Sequence, residues 1–231
     1  MRTTSKTYWI LVSGPLACWT PPEFRVERIS ALLPSHDAWE GLLKTILGHW
    51  RKGTTGRQFR WVVEEVRVLN QPEYHTIPAN EMKFNNATNF AKPHFGVSTP
   101  RTTVYLRNPA YLLKVRMELT QHAVPGVDTI RKFEEMFERR MSNGQQWGQP
   151  CLGLRELMAD VEIIEERELH QYPAALVNHH LGVIYYGTDW EDANEPQYFV
   201  PLDIKNGLAR YPTWDEVRRT GFRRATRKAV G

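Results

Sequence analysis

The side chains in this sequence best suited to chemistry are cations set among rings and branched aliphatics. Arg25 and Arg28 surround Phe24 and Val26, Arg101 and Arg107 surround Tyr105, and Lys114 and Arg116 alternate so that both fall on one face of a strand. Residues in this pattern hold RNA, because cations meet the phosphates while bases stack on rings or splay into pockets. Taken singly, each reads equally well as part of a solvated strand edge, where lysine and arginine guard against aggregation. Their recurrence in several segments tilts the reading toward RNA. A second stretch, RKFEEMFERRMSNGQQWGQPCLGLREL, runs from a charged helix into a loop with Gly144, Gly148, Gly153, the lone tryptophan Trp147 and the pair Arg155 and Glu156.

Other chemistries lack their patterns. There is no G-x-x-x-x-G-K-[ST] phosphate loop, no G-x-G-x-x-G, no H-E-x-x-H and no nucleophile elbow, so no cofactor is expected. His179 and His180 are adjacent and face opposite sides of a strand, and with His170 they find no carboxylate or cysteine at ligand spacing; no metal site is expected. Cys18 and Cys151 form no closely spaced pair, which points to a reducing cytoplasm rather than a disulfide framework. The apolar run YWILVSGPLACW is too short to span a bilayer and lacks a signal-peptide layout, so no membrane association is expected.

These residues need elements to position them. With 231 residues the chain suits one large domain or a compact domain with a smaller appendage. Its net charge of +4 comes from 30 basic and 26 acidic residues. The segment 218–231 nevertheless carries Arg218, Arg219, Arg223, Arg224, Arg227 and Lys228 and no acid, which reads either as a frayed tail or as an arm for phosphates. Strand composition and a Gly-Pro break predict a first strand over 8–13. Ser35 caps a helix running to about Trp50, with Ala38, Leu42, Thr45 and Ile46 near one face. A long buried strand follows from Phe59 to Asn70.

Residues 71–100, rich in proline and polar residues, read as an inserted projecting hairpin. A strand pair follows, with a bulge at Asn108-Pro109. The amphipathic helix 127–143 has Ile130, Phe133, Phe137 and Met141 on one stripe and Gly144 as its cap, and LMADVEIIEE supplies the next strand. The order matches an α+β, ferredoxin-like (RRM-like) β-α-β-β-α-β unit over 1–166. Residues 167–231 read as a smaller β-rich extension or lobe with a hairpin at Lys205-Asn206-Gly207 and a basic tail.

The segments FRVERIS, FRWVVEEVRVLN, NEMKF, LRNPAYLLKVRMEL and FERRMSNGQQWGQPCLGLREL resemble the Cas-five family of CRISPR systems in its subtype I-C form, in the right order over 8–159. The loop motif, roughly G-Q-x-x-x-x-P-x-L-G-x-R-E, is specific. The resemblance implies an RNA-binding subunit of the Cascade surveillance complex. Such a subunit holds the 5′ handle of crRNA beside the large subunit and the backbone subunits and meets target DNA only through the complex. It implies contacts from Arg155 and from the loop wall that includes Trp147, and from Lys83 in the insertion, where Asn80, Glu81 and Lys83 match the family's segment while Pro78 and Ala79 replace its usual arginines.

In this subtype the family also resembles a metal-independent endoribonuclease that cuts pre-crRNA in its repeats. Its catalytic set is a tyrosine or histidine after the first helix and a Lys-His pair early in the second. The lysine falls on Lys132, but Phe133 occupies the histidine position. An ungapped match puts Leu47 at the first position, whereas a two-residue insertion would place His49 there. Two outcomes stay open: cleavage supported by Lys132 and His49, or a binding subunit with processing done by a separate nuclease.

Overall fold

The computed structural model describes residues 2–22, 24, 28–48, 57–82, 98–192 and 194–224. It is a mixed α/β protein with two largely antiparallel sheets. The large sheet is built on β1 (Tyr8–Ser13), β4 (Phe59–Val68), β7 (Ala110–Leu119) and β8 (Asp160–Ile164), side by side in the order β4-β7-β1-β8. Between β1 and β4 the chain forms the short strands β2 (Leu16–Ala17) and β3 (Arg28–Ile29) and the helix α1 (His36–Ile46). Helix α2 (Ile130–Ser142) connects β7 to β8.

Strict alternation along β1 buries Tyr8, Ile10 and Val12 on the helical side of the sheet. The same side of β7 buries Tyr111, Leu113, Val115 and Met117. Strand β4 keeps both Phe59, Trp61, Val63 and then Val66, Val68 on this side because Glu64 is an extra residue in its pairing with β7. Beside that bulge the Val63 amide donates to Nε2 of buried His36, 3.1 Å away. Rings fill the core: Trp61 and Tyr8 pack on Phe137 at 4.9 and 5.1 Å, and Trp39 packs on Tyr111 at 5.2 Å. Such pairs contribute beyond their buried area.

Ser35 caps α1 by accepting from the Ala38 amide, as its sequence predicts, but the helix ends at Ile46, short of Trp50. Its buried stripe is His36, Trp39, Leu42, Leu43 and Ile46, so Leu42 and Ile46 face the core as expected while Ala38 and Thr45 are half-buried beside it. Insertion residues form β5 (Glu73–Met82), which pairs antiparallel with β6 (Ser98–Arg107) from Glu73↔Arg107 to Met82↔Ser98. This hairpin joins β2 and β3 in a second sheet. Asn108-Pro109 is therefore a corner between two sheets rather than a bulge, with Asn108 at φ 45.

After a 3-10 turn at Glu166–Gln171 come β9 (His179–Thr188), β10 (Gln197–Lys205), β11 (Leu208–Arg210), α3 (Trp214–Thr220) and β12 (Phe222–Arg224). Strand β11 pairs with β4, so these strands continue the large sheet. The predicted Asn-Gly turn joins β10 to β11 with Asn206 at φ 51 and Gly207 at φ 75, a pair of left-handed conformations that glycine and asparagine tolerate. Among the described residues no helix is long and apolar enough to cross a membrane.

Candidate nucleic-acid interface

Thr129 starts α2 by accepting from the Lys132 amide at 3.3 Å. Burying Ile130, Phe133 and Phe137 then turns Lys132 to the rim of the helix. Its ammonium lies 3.3 Å from the Val127 carbonyl and 3.4 Å from Oδ1 of Asp128, and its side chain stays 41% exposed. Asp128 is buried and also accepts from the Val124 amide at 3.0 Å, so the anion that holds Lys132 is itself fixed. Phe133 is 6% exposed and packs on Phe59 at 4.6 Å, a core position. Leu47 is buried too, and its carbonyl accepts from Trp61 Nε1. His49 lies outside the described residues.

The loop after α2 is built against the backbone of its neighbours. Gly144, at φ 63, closes the helix, with its amide on the Met141 carbonyl. The amides of Trp147 and Gly148 donate to the Thr45 carbonyl at 2.7 and 3.0 Å, and Arg140 donates to the Ile46 carbonyl at 2.6 Å. The loop and α2 thus satisfy two of the orphan carbonyls at the end of α1, those of Thr45 and Ile46. Gly153 sits at φ 94, and a Cβ there would lie 1.9 Å from the Cys18 carbonyl oxygen. No other residue fits. Hydrogen bonds from Cys18 N to Leu152 O and from Leu152 N to Leu157 O complete the brace. Out of this rigid wall stand the Trp147 ring, 85% exposed, and the exposed side chains of Arg155 and Glu156.

The sheet cations are placed differently. On the side of β7 away from the helices, Lys114 pairs with Glu64 at 3.1 Å, and Arg116 pairs with Glu64 and, at 2.8 Å, with Glu118. Arg60 also pairs with Glu118, and Arg67 pairs with Glu65 while its guanidinium lies 4.4 Å from the Trp9 ring. Arg107 pairs with Glu73 across the β5-β6 hairpin. Arg28 and Arg101 are exposed on β3 and β6. Arg25 and Lys83 lie outside the described residues. Lys132 thus stands on α2, Arg155 on the loop 143–158 and the carboxylate-paired cations on the sheet strands. In the basic C-terminal stretch Arg218 belongs to α3 and forms a two-pronged pair with Asp189, at 2.7 and 3.0 Å; burial pushes that carboxyl up, but the pair with Arg218, helped by the Glu191 amide and Arg60, holds it below the usual range. Residues 225–231 lie outside the described residues.

A cleft of about 390 Å³ escapes a reading of single motifs. Glu40 of α1, Arg57 and Arg60 at the start of β4, His122 after β7 and Trp190 after β9 all line it. The available signal was a carboxylate, Glu40, set inside the apolar stripe of α1 between Trp39 and Leu43. Among the described residues no group of three or more His, Cys, Asp or Glu is placed to hold a metal ion.

Comparison with known proteins then decides the family. The family described as CRISPR-associated protein (Cas_Cas5), in its Cas5d form, matches residues 7–226. This chain belongs to that family. It is 29% identical over 225 residues to the CRISPR pre-crRNA endoribonuclease Cas5d of Mannheimia succiniciproducens, covering 89% of this chain and 96% of that one. The protein of the same name from Thermus thermophilus is 36% identical over 152 residues, 65% of this chain and 61% of that one. Among solved structures, one titled Crystal Structure of CRISPR-associated Protein superposes with a TM-score of 0.70 at 21% identity, covering 94% of this chain and 97% of the other. A functionally uncharacterized protein from Streptococcus mutans gives 0.66 at 22% identity, covering 93% and 96%. These likenesses extend the shared Cas5 fold through the C-terminal strands, beyond the segments that carried the resemblance.

Proposed function

We propose that this protein is an endoribonuclease that cuts pre-crRNA in its repeats without a metal ion and, as a cytoplasmic subunit of a type I-C-like Cascade complex, holds the 5′ handle of the resulting crRNA. The observation that carries this is the match to a pre-crRNA endoribonuclease over 89% of the chain, with Lys132 presented at the rim of α2. The strand order β4-β7-β1-β8 supports a ferredoxin-like unit as the RNA-binding scaffold. Trp147 and Arg155, standing from a backbone-braced wall, are suited to base stacking and a phosphate contact. The large and backbone subunits would meet it within the complex, and target DNA would reach it only there.

Cleavage removes a proton from a ribose 2′-hydroxyl, forms the 2′-O–P bond, breaks the bond to O5′ and returns a proton to that leaving oxygen. The products are a 2′,3′-cyclic phosphate and a 5′-hydroxyl. Lys132 is assigned the cation that meets charge growing on the phosphoryl oxygens, and His49 the proton transfer. A second reading, a binding subunit with processing elsewhere, is favoured by Phe133, because the family's histidine position here is filled by a core ring.

Incubation of the purified protein with its repeat RNA in EDTA separates the two. Cleavage should persist in EDTA and fall about 100-fold or more in Lys132→Ala and in His49→Ala with RNA binding retained. Tight binding of uncut RNA by the wild type would establish the second reading.

A further inference from the structure

On the side of the large sheet where β4 and β7 carry ion pairs, the C-terminal strands carry rings. Alternation along β10 sends Tyr198, Val200, Leu202 and Ile204 into the core and leaves Gln197, Phe199, Pro201 and Asp203 on the opposite, outer side. Residues directly opposite in paired strands share a face, so Phe222 of β12 and Tyr185 of β9, both opposite Phe199, stand on the outer side with it. The Tyr185 and Phe199 rings meet edge to face at 5.7 Å, and the Tyr185 hydroxyl is bonded to Thr188 and Asp37. Phe199 is half-buried, whereas Phe222 is 62% exposed. A ring left in water on a three-residue strand adds little to the fold, because its stabilising effect comes from the area it buries.

The charges beside these rings select what can cover them. Arg224, opposite Gln197 and two residues beyond Phe222, is exposed on the same side and has no hydrogen bond or ion pair among the described residues. Its neighbours differ: Arg223, on the core side of β12, pairs with Asp192 at 3.2 Å, and Arg218 pairs with Asp189 and Glu191. The only carboxylate of β10 is Asp203, four residues from Phe199 and so about 13 Å along the strand. His180 and Lys205 already hold it, at 2.5 and 3.9 Å. An uncompensated guanidinium beside exposed rings fits a polyanion with flat faces, since phosphates meet the cation and bases stack on the rings. A protein surface laid over the rings would bury Arg224 unless it supplied an acid at that point, whereas an RNA strand supplies a phosphate at every nucleotide.

We propose that this face of β10 and β12 is a further contact for single-stranded RNA, in which bases stack on Phe222 and Phe199 and Arg224 meets a phosphate. The assignment rests on the RNA-binding function proposed above. It places a stacking surface on the strands that follow the β4-β7-β1-β8 unit, on different elements from Lys132 and from the loop of Trp147 and Arg155. Every base has a face to stack, so the contact adds affinity without reading sequence.

Ring and cation leave different signatures in one experiment, the Kd of the full chain for repeat RNA measured over a range of salt. Phe222→Ala should weaken binding about tenfold at every salt concentration with the slope unchanged, and Phe222→Tyr should restore most of the affinity. Arg224→Ala should flatten the slope of log affinity against log salt by about one. Both side chains are exposed, so neither change should move the melting transition. An abasic nucleotide placed at each position of the RNA in turn should then find a position that costs the wild type about tenfold and Phe222→Ala almost nothing. Binding by Phe222→Ala within about twofold of the wild type at every salt concentration, or an unchanged slope in Arg224→Ala, would overturn this face and leave the RNA-binding reading standing. Failure of the wild type to bind repeat RNA at all would overturn both.

Discussion

One face of the large sheet is closed by rings, the other by charge. Toward the helices Tyr8, Phe59 and Trp61 meet Phe133 and Phe137 through tilted and edge-to-face contacts. On the opposite side of the same strands Arg60, Arg67, Lys114 and Arg116 lie against Glu64, Glu65 and Glu118. Cross-strand neighbours sit ~4.5–5.5 Å apart at Cβ, near enough for a carboxylate on one strand to neutralise a cation on the next. A cation's value to a polyanion thus depends on what faces it. The sheet cations are matched by carboxylates, whereas Arg155, on a loop whose backbone braces its neighbours, has no side-chain hydrogen bond or ion pair among the described residues.

The largest effect should come from breaking the ring-closed face. Phe133→Ala removes a side chain that fills the space over Phe59, and such truncations cost about 3–5 kcal/mol. Urea denaturation measures it. A loss below about 1 kcal/mol would mean that the ring is not part of the core and would return position 133 to the candidate active site.

A smaller effect, on the same face, is set by pH. His36 is buried against Tyr186 at 4.6 Å and accepts the Val63 amide, and burial lowers its pKa from 6.5 to about 3. The unfolded chain takes up this proton near pH 6.5 and the folded chain only near pH 3. The contribution is therefore complete above pH 6.5 and is lost as pH falls from there toward 3. At 1.36 kcal/mol per pH unit the loss reaches about 3 kcal/mol near pH 4.5. Denaturation midpoints of wild type and His36→Gln across this window should converge as pH falls. Parallel curves would remove His36 as the source.

Much of the scaffold was legible because its signals are local. The β-forming run of β1 before its Gly-Pro break, the Ser35 cap, the Phe133 and Phe137 stripe and the Asn206-Gly207 turn each require only neighbouring residues. What stayed hidden depends on residues far apart in sequence. Asn108-Pro109 reads as a bulge until β6 and β7 are seen to belong to different sheets. Lys114 and Arg116 look like open cations until the Glu64 bulge brings a carboxylate beside both. The cleft joins Glu40 to Trp190 from distant parts of the chain, and α3 escaped notice because a single capping box with Trp214 and Val217 holds it. Of the candidate catalytic pair, Lys132 could be placed from its stripe, whereas His49 falls outside the described residues.

The smallest predicted effect tests the contrast between compensated and uncompensated cations directly. Removing one cation that neutralises a phosphate lowers the slope of log affinity against log salt by about one. Arg155→Ala should flatten that slope by about one for repeat RNA, whereas Arg116→Ala should leave it almost unchanged, because the guanidinium is already held between Glu64 and Glu118. Glu64→Gln then provides the reverse test. It leaves Lys114 without its carboxylate and Arg116 with only one, so if the sheet face lies along the RNA the slope should steepen and affinity should rise several-fold. An unchanged slope in Glu64→Gln would remove the sheet face from the interface. An unchanged slope in Arg155→Ala would reduce the loop to a structural brace for α1, built by Gly153 and the two amides on Thr45.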